Sequence, residues 1–317
     1  MHKIKTIAGY TKSFSNEELH SAIIRNHMNI ESWFRKQWIK YPAPFYSSID
    51  LRNSGYKIAP VDTNLFPAGF NNLDNNLDFL YISAVQHVLE RISPALTKVL
   101  IISENHTRNQ FYLSSIDSLS NIIRKAGYEV IVSSLLDSNG ETEKLLTNKD
   151  QILSHGSFTP DVILLNNDLS DGIPEILNDI KQPILPDKNL GWTNRSKTIH
   201  FEYYTDVINN FSRLLQINPW FIEPLLRNCG EIDFKTKDGE NCLIRHASRL
   251  FTLIQEKYDQ YNINEEPYIM IKADSGTYGM GIMQVRSIDE LMNLNSCLLY
   301  TSPSPRDAHE SRMPSSA

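Results

Sequence analysis

The α/β character of the chain is set by the run Lys98-Val-Leu-Ile-Ile-Ser103, a short continuous apolar segment that predicts a buried strand. A helical pattern follows over 109–126, and Tyr128-Glu-Val-Ile-Val-Ser133 predicts a second strand. Asp161-Val-Ile-Leu-Leu165 predicts a third strand, with a short helix after it over 173–180. Strands that alternate with helices predict a mostly parallel sheet, in which ligands bind at the carboxyl ends of the strands.

Further elements are predicted on both sides of this alternation. The acidic residues after Ser15 start an amphipathic helix that runs to about Lys40, where Pro42 follows. The segment 45–76 is rich in Asp, Asn, Gly and Pro, and it predicts strands and ordered loops rather than a linker. The remaining predictions are helices over 77–92, 197–217, 241–258 and from about Ser287, and strands over 266–272 and 282–285.

Composition changes along the chain predict two domains and a tail. A boundary near 230–240 separates an N-terminal α/β domain, 1–235, from a shorter domain, 236–296. The segment 297–317 begins with Cys297-Leu-Leu-Tyr-Thr-Ser-Pro-Ser-Pro-Arg-Asp307, which resembles one reading frame of a transposon-type sequencing adapter. We therefore predict that this tail is non-native and disordered, and leave it out of the fold. The alternative is a native, disordered Ser/Pro-rich tail.

The overall composition narrows the possible partners and location. The 317 residues are 41% hydrophobic and 21% charged, which is ordinary for a globular protein. The net charge of −6 gives no overall basic field for nucleic acid, and no run approaches the ~20 apolar residues that a membrane span needs. Three scattered cysteines predict neither a disulfide framework nor a zinc cluster, but small buried apolar residues. We expect a soluble, cytoplasmic protein.

The sharpest functional signal is a glycine-rich stretch that follows an apolar strand. It reads Lys272-Ala-Asp-Ser-Gly-Thr-Tyr-Gly-Met-Gly-Ile-Met-Gln-Val285. Glycines allow the backbone to approach a ligand closely, so such a loop can turn several N–H groups toward phosphate oxygens, and Lys272 adds a positive charge. The stretch lacks Gly-Lys-Ser/Thr and a following helix, which excludes a P-loop and a Rossmann motif. The alternative is a β-hairpin whose glycines serve turn geometry alone.

This predicted hairpin resembles the nucleotide-binding loop of the ATP-grasp superfamily of carboxylate–amine ligases. The string Ile271–Met283, together with Pro60-Val-Asp-Thr-Asn-Leu-Phe-Pro-Ala-Gly-Phe-Asn-Asn-Leu73, is similar to the ATP-grasp-like glutamate–cysteine ligases of proteobacteria, and the resemblance covers 1–296. It implies an ATP-grasp-like α/β fold, with a parallel α/β sheet domain followed by an incomplete ATP-grasp nucleotide-binding domain. The residues implied to bind ATP are Lys272, Asp274, Ser275, Gly276, Thr277, Tyr278, Gly279, Met280 and Gly281. Lys-Ala-Asp stands here where many superfamily members have Lys-Pro, which leaves the role of Asp274 open.

A second candidate site lies in the polar stretch near the N-terminus and at Arg195. An amino-acid substrate needs a cation for its carboxylate and a carboxylate or amide for its ammonium group, and charge-assisted hydrogen bonds are the strongest of these contacts. The candidate substrate-binding residues are Asp50, Arg52, Lys57, Asp62, Asn64, Asn71, Asn72 and Arg195. For the Asn and Asp residues the alternative is turn formation alone. For the basic cluster around Arg195 it is a solvated helix start.

The resemblance also implies a reaction. It is the ATP-dependent ligation of the γ-carboxylate of L-glutamate to the amine of L-cysteine through an acyl phosphate, the first step of glutathione biosynthesis, by an ADP-forming carbon–nitrogen ligase. ATP and Mg²⁺ are the implied cofactors, and Lys272 is the implied catalytic residue, which stabilises the transferred phosphoryl group. In that superfamily the metal ligands lie beyond the glycine loop, so we assign no metal ligand here and expect the fragment to be inactive alone. The alternatives are another ATP-grasp ligase and a non-catalytic α/β protein that binds small molecules.

Overall fold

The computed structural model describes residues 15–104, 109–135, 145–170, 172–191, 193–230, 232, 239–272, 274 and 282–293. The chain divides into two compact units, each assembled from separate segments. The sheet unit consists of Trp38–Ile49 and Asp62–Arg195. The lysine unit, named for Lys272, consists of Met1–Gln37, Asp50–Val61 and Ser196–Ala317. The continuous domains 1–235 and 236–296 stay a prediction.

Helices and strands alternate through most of the described chain. The helices are α1 (Asn16–Arg25), α2 (His27–Lys40), α3 (Asp78–Ile92), α4 (Gln110–Lys125), α5 (Lys197–Leu215), α6 (Glu240–Tyr261) and α7 (Ile288–Met292). The strands are β1 (Ser48–Asn53), β2 (Ile58–Asn64), β3 (Lys98–Ser103), β4 (Glu129–Ser134), β5 (Leu145–Thr147), β6 (Leu153–His155), β7 (Val162–Leu165), β8 (Ile184–Leu185), β9 (Ile269–Ile271) and β10 (Met283–Val285). Short 3-10 turns lie at Phe70–Asn72, Asn75–Leu77, Glu175–Leu177, Lys188–Leu190 and Pro219–Phe221.

A four-stranded sheet forms the core of the sheet unit. Its strand order is β4-β3-β7-β8, and all neighbouring pairs are parallel. Val99 and Ile101 pack against α3 and α4, on what we call the helix face. Leu100 and Ile102 pack on the opposite side, which we call the loop face because turns and short strands cover it. Burial on both faces explains why β3 reads as a continuous apolar run, and the predicted mixed α/β fold with a parallel sheet is confirmed.

The N-terminal helix differs from its prediction by a break. Ser15 begins α1 with the expected capping box, in which its hydroxyl accepts from Glu18 N and Glu18 accepts from Ser15 N. The single helix predicted to Lys40 is nevertheless wrong, because α1 ends at Arg25 and a turn at Asn26 separates it from α2. At this break Asn26 has φ −102° and ψ 11°, and its side chain donates to Ala22 O at 2.9 Å.

The predicted helix over 173–180 is also wrong. Only a 3-10 turn forms there, with Pro174 before it, and Asp179 adopts a left-handed φ of 58°. The half-buried Ile173, Ile176 and Ile180 instead pack on the loop face. Three short strands escaped prediction because two or three residues carry no readable periodicity: β5 and β6 form an antiparallel pair, and β8 lies beside β7.

Asp161 ties the starts of two neighbouring strands together. Its carboxylate accepts from Thr97 N at 2.8 Å, Thr97 Oγ1 at 3.2 Å and Lys98 N at 2.9 Å. Partial burial acts to raise the pKa of Asp161, but these hydrogen bonds and the charge of Lys98 outweigh it, so the pKa lies below its usual value. The ionised form therefore holds the amino edge of the sheet.

We predict that Asp161→Ala lowers the free energy of unfolding at pH 7 by about 1 kcal/mol, because hydrogen bonds to charged groups are lost at a site that solvent partly screens. A depressed folded-state pKa contributes stability above the unfolded pKa, near 4, that is lost as the pH falls through the folded value. The difference from the parent in urea titrations should therefore shrink below about pH 4. A constant difference down to pH 2 would contradict this assignment.

The lysine unit contains the strand pair that the glycine-rich sequence predicted. β9 and β10 are antiparallel, with Ile271 opposite Met283, so the glycine-rich segment connects two paired strands. The pair packs against α6 and α7 through the buried residues Leu243, Ala247, Ile269, Met283, Val285 and Leu291. A second sheet consists of β1 and β2.

Two of the three cysteines lie in the described chain, and both are free and half-buried. Burial raises the pKa of Cys229 to about 11, with contributions from the neighbouring Cys242 thiol. Its thiol therefore stays protonated, in keeping with the small apolar role predicted for it. Within the residues described above, no helix is long and apolar enough to cross a membrane.

Candidate functional site

A polar loop crosses the carboxyl edge of the parallel sheet. Phe66 packs on the loop face of the sheet, whereas Phe70 packs on the helix face, so the chain between them passes from one face to the other. It passes at the carboxyl ends of the strands, because Asn166, the first residue after β7, donates from Nδ2 to Pro67 O at 2.5 Å. We call residues 65–72 the edge loop.

Three features fix the edge loop on the sheet unit. Tyr46 Oη donates to Ala68 O at 2.5 Å, and the backbone N–H of Phe70 donates to Ser115 Oγ at 3.1 Å. Gly69 has φ 72° and ψ 16°, in the left-handed region that glycine enters at least cost. Gly69 thus turns the chain into the 3-10 turn that follows.

The edge loop carries two of the predicted substrate-binding amides. Asn71 and Asn72 lie in this 3-10 turn, and Asn71 Nδ2 donates to Asn72 Oδ1 at 3.3 Å. Asn71 is half-buried and Asn72 is exposed. The loop therefore presents both amides near the sheet edge where α/β proteins bind ligands.

A buried polar cluster supports the same edge and was missed by sequence reasoning. Tyr112 Oη accepts from Glu104 N at 2.7 Å and donates to Asn166 O at 3.0 Å, which links the ends of β3 and β7. Burial raises the pKa of Tyr112, so its phenol stays protonated. Asn166 is 4% exposed, and its Oδ1 has no hydrogen-bond partner among the residues that the structure describes. Asn166 follows a strand directly, and that position was the one signal available for it.

We predict that Gly69→Ala destabilises the protein by about 1–2 kcal/mol, because an L-residue must take the left-handed conformation. A Cβ at this position would meet only Asn72 Nδ2 at 3.7 Å, so backbone strain rather than a clash decides the effect. Gly55→Ala is the matched control, since Gly55 has φ 84° and open space around it. Thermal unfolding should show a loss for both variants, whereas only Gly69→Ala should raise the KM for an amino-acid substrate. Equal KM values for the two variants would contradict a binding role of the edge loop.

Arg195 lies beside the end of β2. Its Nη2 donates to Thr63 Oγ1 at 3.0 Å and its Nη1 donates to Thr63 O at 3.3 Å. Burial lowers the pKa of Arg195, and the nearby Asp62 acts in the opposite direction. The fold therefore brings the predicted Arg195 and Asp62 together, with the half-buried Asn64 one residue beyond Thr63 on the same strand. Arg195 is half-buried, which disfavours the alternative of a solvated helix start.

The ammonium group of Lys57, in the lysine unit, contacts other parts of the same unit. Its Nζ donates to Trp220 O at 2.6 Å and to Glu223 O at 2.7 Å, and lies 4.4 Å from the centre of the Trp220 ring. Burial lowers the pKa of Lys57 to about 7, although the nearby charge of Glu223 acts to raise it. An ammonium group has three donors, and two of them are used by backbone carbonyls. These contacts favour a structural role over carboxylate binding.

The two candidates on β1 share one face of the strand. Asp50 and Arg52 are two residues apart, so their side chains point in the same direction. Asp50 is half-buried and Arg52 is exposed. The role of Asp50 and Arg52 in substrate binding stays a prediction.

Lys272 and Asp274 follow the end of β9. Lys272 is half-buried, and its Nζ donates to Val61 O in β2 at 3.0 Å. The Asp274 carboxylate accepts from Ser196 Oγ at 2.6 Å, and from Thr198 N and Oγ1 at 2.7 and 2.6 Å. Partial burial acts to raise the pKa of Asp274, but these hydrogen bonds and the charge of Lys197 outweigh it, so its pKa is lowered.

The remaining nucleotide-binding candidates lie outside the described residues. They are Ser275, Gly276, Thr277, Tyr278, Gly279, Met280 and Gly281. The predicted tail, 297–317, lies outside them as well. In the part of the chain that is described, no group of three His, Cys, Asp or Glu side chains could hold a metal ion.

The parallel sheet places the chain among the mixed α/β proteins, a class in which ligands usually bind at the carboxyl edge of the sheet. Comparison with known proteins narrows this class. The sequence model of the family "GshA: Glutamate-cysteine ligase" matches residues 20–297. The crystal structure of a candidate gamma-glutamylcysteine synthetase from Methylobacillus flagellatus KT is 39% identical, with a TM-score of 0.84. That match covers 94% of this chain and 73% of the other chain. A search of curated proteins gives no match.

The chain belongs to the glutamate–cysteine ligase family, as the motifs around Asp62–Asn72 and Lys272–Gly281 predicted. Its activity is glutamate–cysteine ligation, which serves glutathione biosynthesis. The family acts on small-molecule substrates and depends on ATP, generally with Mg²⁺.

Proposed function

We propose that this ligase activates the γ-carboxylate of glutamate as an acyl phosphate and then transfers the acyl group to the amine of cysteine. ATP donates its γ-phosphoryl group to the carboxylate oxygen and leaves as ADP. The cysteine amine attacks the acyl carbon, inorganic phosphate departs, and the amine loses a proton as the amide forms. Phosphoryl transfer needs little covalent chemistry from the protein, so positioning and charge neutralisation carry the catalysis.

The observation that carries this proposal is the placement of Lys272. It directly follows β9, and the paired residues Ile271 and Met283 bracket the segment that carries the three glycines. The burial of Ile269, Met283 and Val285 fixes the strands on either side. A lysine at this position supplies a point charge for a triphosphate. The backbone N–H groups of a glycine-rich segment can supply hydrogen-bond donors for the same phosphates. An ATP-grasp-like arrangement, with Lys272 on the transferred phosphoryl group, follows as the proposed nucleotide site.

For the amino-acid substrates, we propose the sheet unit as the binding surface. Arg195 supplies a cation, Asp62 a carboxylate, and the edge loop supplies the amides of Asn71 and Asn72. A guanidinium has five N–H donors, so bonds to Thr63 are compatible with a substrate carboxylate. This set matches both charged groups of an amino acid.

Magnesium is not assigned to residues of this chain. The family generally uses Mg²⁺, but the described residues bring no three metal-ligating side chains together. The steps above are written for ATP, glutamate, cysteine and the protein's own groups.

The reaction is tested with the full-length ligase, meaning the whole natural gene product that contains this sequence. ADP release should require both glutamate and cysteine, and replacing either by another amino acid should remove most of it. ATP should also raise the unfolding temperature, because a ligand that binds the folded state stabilises it. ADP release with another amino-acid pair would favour a different carboxylate–amine ligase, and failure of ATP to stabilise the protein would favour a non-catalytic binding protein.

We also propose that the 317-residue chain is inactive by itself. The match with its structural neighbour covers 73% of that chain. Purified chain mixed with glutamate, cysteine and ATP should release no ADP above the background without enzyme. Measurable ADP release that depends on cysteine would refute this proposal.

A further inference from the structure

The N-terminus of α5 has its backbone donors occupied by two side chains and one carbonyl. Lys197 N donates to Asp274 O at 2.9 Å, and Thr198 N donates to the Asp274 carboxylate at 2.7 Å. Ile199 N donates to Ser196 Oγ at 3.2 Å. The first N–H groups of a helix have no partners within the helix, so these bonds complete its cap.

Asp274 is joined to this cap by more than one bond. Its Oδ1 accepts from both the N–H and the hydroxyl of Thr198, and its Oδ2 accepts from the Ser196 hydroxyl. A negative charge at a helix N-terminus is stabilised by the helix dipole, and α5 is 19 residues long. The carboxylate is thus committed to α5, which distinguishes it from a group held ready for a metal ion or a phosphate.

Lys272 lies two residues before this cap and is held on its other side by β2. Its ammonium group donates to Val61 O at 3.0 Å, while β9, which it follows, packs against α6 and α7. The chain around Lys272 is therefore fixed at three places: the buried strand before it, the Val61 carbonyl beside it, and the Asp274 cap after it.

We infer that Asp274 is a positioning residue, which holds Lys272 in place for ATP by capping α5, and that it does not contact the nucleotide or its metal. This inference rests on the proposed function, in which Lys272 binds the phosphates. It replaces the direct nucleotide contact that the resemblance implied for Asp274. Ser196 and Thr198 carry no sequence signal for nucleotide binding, but their hydrogen bonds to Asp274 give them the same positioning role.

The test is a mutant cycle in the full-length ligase with Asp274→Ala, the pair Ser196→Ala with Thr198→Val, and all three changes together. If Lys272 is correctly placed only a tenth of the time without the cap, the apparent KM for ATP rises about tenfold while kcat is kept, because affinity falls with the competent fraction. The Ser196/Thr198 variant should reproduce this rise, and the triple variant should be no worse, since coupled residues are not additive. Additive effects would overturn the inference.

A conservative replacement separates positioning from metal binding. Asp274→Asn keeps an oxygen that accepts from Thr198, so it should recover most of the ATP affinity, with the Mg²⁺ concentration for half-activation unchanged. A metal ligand would behave otherwise, because loss of its charge would raise the Mg²⁺ requirement in both the Asn and Ala variants. That result would overturn the inference.

Two further measurements keep the outcomes distinct. Asp187→Ala removes an acidic cap from the 3-10 turn at Lys188–Leu190, where its carboxylate accepts from Asn189 N at 2.8 Å, and it should leave the KM for ATP unchanged. Thermal unfolding and binding of ATP without turnover show whether each variant is folded. If Lys272→Ala leaves ATP affinity unchanged, the proposed nucleotide site itself fails; if Lys272→Ala weakens ATP binding and folded Asp274→Ala does not, only the positioning role fails.

Discussion

Replacing Lys272 with Ala in the full-length ligase is expected to lower kcat/KM for ATP by about 10²–10³, the range measured when a preorganised donor to developing charge is removed. The side chain lies at the end of β9, and its Nζ donates to the neutral carbonyl of Val61 at 3.0 Å. A triphosphate offers far stronger partners than a carbonyl. Steady-state ADP release at varied ATP, with saturating glutamate and cysteine, measures the loss.

A second lysine provides the matched control for this experiment. Lys188 is half-buried in the sheet unit and also donates from Nζ to a backbone carbonyl, that of Leu177 at 2.9 Å. Lys188→Ala therefore removes the same kind of structural bond and should leave kcat/KM for ATP within about twofold, since it tests packing loss rather than phosphate binding. Equal losses for the two variants, or an unchanged Lys272→Ala enzyme, would remove Lys272 from the nucleotide site.

The elements that the sequence predicted well are those whose burial follows a simple periodicity. β3 has the predicted bounds because both of its faces are covered, which leaves an uninterrupted apolar run. α4 begins after the cap of Asn109 and ends before Gly127, where φ is 99°. Local chemistry decides such boundaries, so the sequence contains the information needed to find them.

The failed predictions are those in which distant contacts override local pattern. Ile173, Ile176 and Ile180 have helical spacing, yet they pack on the loop face while the backbone turns at Asp179. Asn26 sits within an apolar period that continues to Lys40, but its backbone leaves helical geometry there, at φ −102° and ψ 11°. Periodicity reports which residues are buried, and the same burial can be reached by more than one backbone path.

The candidate site shows the same difference: its residue types could be recognised from the sequence, but the tertiary contacts of each residue could not. The sequence could indicate that Lys57 and Lys272 were cations near polar loops, but not that Lys57 would be covered by Trp220, 163 positions away. The partnership of Asn166 with Pro67 spans 99 positions and also leaves no trace in local pattern. Residue type predicted the chemistry of the site, whereas the partners that decide each residue's role come from the fold.

Replacing Arg195 with Ala should raise the KM for one amino-acid substrate about 10- to 100-fold, the equivalent of losing one hydrogen bond between charged groups. Arg195 is the half-buried cation of the sheet unit beside Asp62, and a substrate carboxylate bound there would exchange water for a planar, multiply donating partner. The KM for ATP should stay within about twofold, because the change removes substrate contacts alone. Arg195→Lys should recover little, since an ammonium group cannot copy the paired geometry of a guanidinium.

The variant Thr63→Val tests whether Arg195 binds the substrate or only stabilises the fold. It removes the Oγ1 acceptor at 3.0 Å while keeping the side-chain shape, so a purely structural Arg195 would give Thr63→Val and Arg195→Ala the same kinetic defect. A binding role predicts instead that Thr63→Val keeps most of the substrate affinity, because the guanidinium and its charge remain. Arg124→Ala controls for the loss of an arginine, because Arg124 makes two long hydrogen bonds, to Asn121 Oδ1 and Val130 O, each at 3.4 Å. This variant should leave all three KM values unchanged. If Arg195→Ala raised only the KM for ATP, we would assign Arg195 to the nucleotide site and not to the amino-acid site.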